Sequence, residues 1–63
     1  MSPEVVAAAL RVLTKRMGPI ASILVKRAAA KAQTQEQFHA LLADQAAEGD
    51  ERDQLLAALR KGA

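Results

Sequence analysis

The stretch Gly18-Pro19-Ile20-Ala21-Ser22-Ile23-Leu24-Val25-Lys26-Arg27-Ala28-Ala29-Ala30-Lys31-Ala32 decides the fold, because it reads as apolar on almost every side. At about 3.6 residues per turn, Ile20, Ala21, Leu24, Val25, Ala28 and Ala32 form a continuous arc, with Ile23 and Ala30 on the other flank. A helix apolar all round must be enclosed. The stretch therefore predicts a central helix over 19–32 around which the remaining segments fold. Arg27 and Lys31 lie on the Ile20 edge of the arc, so either their stems cover apolar surface while their heads reach water, or Arg27 pairs with a carboxylate of another helix. The alanine tract 28–30 allows another helix to approach closely.

Gly18 suits a left-handed cap, and Pro19 cannot prolong the preceding helix but can begin the next one. The preceding helix starts at Ser2-Pro3-Glu4, with Ser2 as cap, Pro3 at the first helical position and Glu4 at the positive end of the dipole. It is expected to span about 3–16 and to turn Val6, Leu10, Leu13 and Met17 inward, with Ala9 beside them. On the other side, Thr34-Gln35-Glu36-Gln37 reads as a capping box opening a helix at Gln35. Phe38, Leu41, Leu42 and Gln45 share its inner face, Phe38 being the largest core side chain, and His39 falls at the border as a surface histidine. Gly49 then caps this helix near residue 47, Asp50 caps a last one over about 51–61 that buries Leu55, Leu56 and Leu59, and Gly62 and Ala63 fray. The whole is a single domain over 1–63, all-α, a compact bundle of four short helices.

Composition agrees. Hydrophobic residues make up 51% of the 63, yet Phe38 is the sole aromatic and there is no Cys. Alanine and aliphatic side chains suit closely packed helices better than strands. A core of this size seldom gives more than roughly 3–5 kcal/mol of net stability, and no disulfide or thiolate metal site can add to it. The longest apolar run, Val5 to Leu10, is far short of the roughly 20 residues of a membrane span. Met-Ser-Pro-Glu lacks a basic region ahead of an apolar one, so no secretory signal is read and a cytoplasmic chain is expected.

Charge is unevenly distributed. Residues 1–33 carry Arg11, Lys15, Arg16, Lys26, Arg27 and Lys31 against Glu4, whereas residues 34–63 carry six carboxylates against Arg52, Arg60 and Lys61. Either the halves attract each other, within one chain or head to tail between two, or the first half offers a basic face to an anionic partner.

No catalytic, cofactor or metal constellation is legible. Ser2, Thr14, Ser22 and Thr34 are the only hydroxyl residues, and one His with no Cys cannot build a metal site or a supported nucleophile. Nor is a small-molecule ligand evident. Two helices joined at Gly18-Pro19 superficially resemble a helix-turn-helix, with Lys15, Arg16, Lys26 and Lys31 available to phosphates. The second helix, however, has no Asn or Gln in its first turns to read bases, and a helix buried on most sides cannot enter a groove. A membrane-surface helix is disfavoured by the absence of Trp and by the repeated capping signals. Protein–protein contact is the function expected, with homodimerisation favoured and DNA binding through the basic face of the first two helices as the alternative. Ile23, Val25, Lys26, Arg27, Ala29 and Ala30 form the candidate partner surface; Gly18, Pro19, Ile20, Leu24 and Phe38 are the candidate structural residues.

The run Met17-Gly18-Pro19-Ile20-Ala21-Ser22-Ile23-Leu24-Val25-Lys26-Arg27-Ala28 resembles a small helical domain near the C-termini of bacterial multidomain signalling proteins, notably serine/threonine protein kinases and nucleotide cyclases. Leu41-Leu42-Ala43 and Arg52 match further points of that pattern, while Gln54-Leu55 stand where its last helix carries a bulky aromatic. The resemblance implies an accessory domain with a regulatory or docking role and no catalytic residues.

Overall fold

The computed structural model describes residues 2–62, and the expected fraying of Ala63 lies outside them. Ser2 is extended and its Oγ accepts from the N–H of Val5 at 3.4 Å, opening α1, Pro3–Met17. Gly18 closes α1 by donating its N–H to the Thr14 carbonyl. Its φ of 72° is the positive value a side chain would resist, but its ψ of −146° lies outside the left-handed helical well, so the cap differs from the one expected. A single 3-10 turn over Gly18–Ile20 then leads into α2, Ala21–Lys31, which is shorter than the expected 19–32.

Thr34 caps α3, Gln35–Ala46, through its Oγ1 and the N–H of Gln37 at 3.1 Å. The reciprocal arm reaches one residue further back than a capping box requires: Gln37 Oε1 accepts from the N–H of Gln33 at 2.8 Å. Helix α3 stops at an extended Ala47 without using Gly49, which instead stands with φ 60° at the first position of α4, Gly49–Gly62. Asp50 accordingly lies inside the first turn of α4. Gly62 is helical, not frayed, and a Cβ there would meet Val12 Cγ2 at 3.3 Å.

The chain is thus all-helical, with no strand among the described residues. Consecutive helices pack on one another and α4 returns onto α1, closing a ring of 26 × 22 × 19 Å. No helix among the described residues is long and apolar enough to cross a membrane.

This ring overturns the central role expected of 19–32. Helix α2 buries only Ala21, Val25 and Ala28, whereas the largest enclosed side chains are Leu13 of α1, Phe38, His39 and Leu42 of α3, and Leu55 and Leu59 of α4. Every member of a ring has one inward face, so an apolar arc wider than that face is left partly in water. Ile20, expected to be structural, is 51% exposed; Leu24 is half-buried against the core, and Phe38 is fully enclosed as expected.

Two other faces are also rotated. Helix α1 buries Val5, Ala8, Ala9 and Leu13, while Val6, Leu10 and Met17 are only half-buried, which amounts to roughly a quarter turn about the helix axis. The alanines let α1 approach its neighbours closely where bulkier side chains would hold them apart. Helix α3 buries Phe38, His39, Leu42 and Ala43, leaving Leu41 half-buried and Gln45 exposed. Leu55 is enclosed at the position where an aromatic was expected, and Leu56 is half-buried.

Candidate interaction surface and a buried histidine

The outward face of α2 and of the turn before it carries Ile20 and Ile23, 51% and 49% exposed, with exposed Ala30 on the same side. Lys26, Arg27 and Lys31 flank them and are exposed as well. Of the six residues proposed from sequence as a partner surface, Ile23, Lys26, Arg27 and Ala30 are therefore brought together in water. Val25 and Ala29 are not: Val25 is buried in the core and Ala29 is half-buried against it. Both lie on the side of α2 that meets α1 and α3, where their small side chains allow close packing. Pro19 is exposed and its carbonyl accepts from Ser22 Oγ at 3.2 Å, tying the turn to the first turn of α2.

No ion pair among the described residues joins the two halves of the chain. Among the described residues the ion pairs are Arg52 with Asp44, Arg52 with Asp53 at 3.7 Å, and Arg60 with Glu36, all within 34–63. Arg11, Lys15, Arg16, Lys26, Arg27 and Lys31 form no ion pair there. The attraction expected between the halves of one chain is thus not expressed as a direct ion pair, and among the described residues Arg27 pairs with no carboxylate. The second half closes on itself instead, Arg60–Glu36 and Arg52–Asp44 each joining α3 to α4. Exposed Glu48, Asp50 and Glu51 cluster where α3 passes into α4, beside a cleft floored by Leu13, Met17, Ala46, Ala47 and Leu55. Arg16 and Glu51 line the same cleft.

His39 is also misplaced by the sequence reading. It is 1% exposed, and neither Nδ1 nor Nε2 has a hydrogen-bond partner among the described residues. Its ring lies beside Phe38, with centroids 5.8 Å apart and planes tilted by 39°. Burial holds its pKa below the ordinary histidine value; Glu36 opposes that shift and Arg60 adds to it. A buried polar group left without a partner costs about 1–3 kcal/mol, which is large beside the net stability of so small a core. The available signal was the spacing His39, Ala43, Ala46, which runs along one helix face; counting those alanines as core places the imidazole inside.

The hydroxyl groups are committed locally. Ser2 and Thr34 cap helices, Thr14 Oγ1 donates to the Leu10 carbonyl at 2.6 Å, and Ser22 is bound as described. No group of three or more metal-ligating side chains occurs among the described residues.

No curated protein and no solved structure matches the chain. The family model that does match covers residues 4–63, from α1 through the end of α4. By that match the chain belongs to the family described as a domain of unknown function (DUF8082).

Proposed function

We propose that this chain is a non-catalytic, cytoplasmic protein–protein interaction module that binds through the outward face of α2 and associates with itself. The observation that carries the reading is the pair of half-exposed isoleucines, Ile20 and Ile23, ringed by the exposed cations Lys26, Arg27 and Lys31, which form no ion pair among the described residues. Large aliphatic side chains side by side in water mark a contact surface, and a cationic rim selects an acidic counterpart. A second copy offers one in Glu48, Asp50 and Glu51 beside the cleft at the α3–α4 connection. An accessory role in a bacterial signalling protein, such as a kinase, rests on the Gly18-Pro19-Ile20-Ala21 resemblance alone. A non-catalytic role is supported by the hydroxyls being taken up in capping and helix-backbone bonds, and by the sole imidazole having no hydroxyl or carboxylate in hydrogen-bond contact.

Sedimentation over a range of concentrations tests the reading. A monomer–dimer equilibrium that weakens with salt and vanishes in Ile23→Asp is expected; a wild-type monomer at high concentration discards self-association. The exposed cations give DNA binding its one favourable observation. Since α2 is wetted, the objection that it is too enclosed to enter a groove no longer applies. Its outer face nevertheless presents isoleucine and alanine where base-reading amides would stand. Salt-sensitive binding to duplex DNA that Lys26→Ala and Arg27→Ala abolish would favour this alternative.

A further inference from the structure

The charged groups bearing on His39 come from two helices. Helices α1 and α2 turn Val5, Ala9, Leu13, Ala21, Val25 and Ala28 into the core, and their cations are all exposed. On α3 itself, Glu36 lies one turn before His39; on α4, Arg60 pairs with Glu36 across the contact between the two helices. The imidazole is thus enclosed among apolar side chains, with one carboxylate near it, Glu36, that is already engaged by the exposed guanidinium of Arg60 on α4.

We propose that His39 is a proton-operated latch between α3 and α4. Neutral, it packs as an apolar ring and leaves Glu36 to Arg60. Protonated, it has two N–H donors and no acceptor in the core, so it turns toward Glu36, one helical turn away, and takes that carboxylate from Arg60. The new imidazolium also repels Arg60. Both effects act on one seam and add to the cost of holding an imidazolium among apolar side chains, so the C-terminal half of α4 is loosened from α3. The lowered pKa of His39 agrees with this arrangement, since the folded core resists the proton.

His39 is the only histidine in the chain, so its imidazole resonance is unambiguous by proton NMR. The test follows that resonance and the amide hydrogen exchange of residues 53–62, corrected for intrinsic pH dependence, from about pH 8 to about pH 5, above the range where ordinary carboxylates titrate. The imidazole is expected to titrate below 6.5, with exchange in α4 rising as it does so. The rise should be about tenfold for each unit by which the titration lies below that of the unfolded chain. His39→Leu and His39→Phe should leave the exchange of α4 flat over the same range. A titration at or above 6.5, or variants that respond to acid as the wild type does, would overturn the latch. Should neither variant fold, the wild type alone decides: an imidazole that titrates with no change in α4 exchange also overturns it.

Discussion

The outer face of α2 and the inner face of α3 invert polarity in opposite directions. On α2, Ile20 and Ile23 stand in water; on α3, His39 lies in the core among Phe38, Leu42 and Ala43. Each inversion goes against the ordinary preference of the side chain, but the two differ in what they cost the fold. A half-exposed isoleucine forgoes part of its burial without straining the core, whereas an imidazole with two unpartnered nitrogens imposes a penalty on the interior itself. The comparison teaches that the surface inversion is free to serve contacts with other molecules, while the interior one is coupled to folding.

Substitutions at the two places should therefore behave differently, and the sharpest contrast lies beside His39. Phe38→Ala removes the largest enclosed side chain and should cost about 3–5 kcal/mol, comparable with the net stability of a core this small, so its circular dichroism melt should show little cooperative transition at room temperature and above. A cooperative, near-native melt would show that α3 does not anchor the interior.

His39→Leu should act in the opposite direction. Replacing the unpartnered imidazole by an aliphatic side chain is expected to raise stability at pH 7 by about 1–3 kcal/mol, read as a higher urea midpoint. The sign with pH follows from the lowered pKa of His39. The unfolded chain binds the proton more readily than the folded one, so the histidine's contribution is fully present above about 6.5 and is lost as pH falls through that value toward the folded pKa. The wild-type midpoint should drop over this window and the variant's should not; a wild-type midpoint that is level from pH 8 to about pH 5 would remove the contrast between the two faces.

On the surface side, Ile23→Asp is expected to leave stability within about 0.5 kcal/mol of wild type while abolishing self-association, as measured by sedimentation. Ile20→Asp should likewise fold, whereas Leu24→Asp, half-buried against the core, should be destabilised. If Ile20→Asp unfolds the protein, α2 is enclosed after all. A smaller loss of stability than at Phe38 is expected for Arg60→Ala, which removes an exposed ion pair with Glu36 worth about 0–1 kcal/mol; a larger loss in the denaturation midpoint would show that this pair carries the α3–α4 contact.

Much of the chain was legible because its signals are local. Ser2 and Thr34 cap where their spacing to the following N–H groups requires, Gly18-Pro19 breaks α1 from α2, and Phe38, Leu42, Leu55 and Leu59 are enclosed. The candidate surface was half legible: Ile23, Lys26, Arg27 and Ala30 share the wetted face, but Val25 and Ala29 belong to the other side. The misassigned helix faces share one cause. Where a helix carries apolar residues over most of its circumference, as α2 does, or mixes alanines with leucines, as α1 and α3 do, its own sequence does not say which arc a neighbour will cover.

The sequence by itself determined the helical class and most of the element boundaries, since capping bonds and glycine or proline breaks act within a few residues. Only the tertiary structure decided how far each helix is turned about its axis, which helices supply the bulk of the core, that Ile20 and Ile23 stay in water and that His39 does not. The physical reason is that burial is a property of pairs of surfaces. Alanine-rich faces let helices approach closely, and this selected rotations that no single helix could specify.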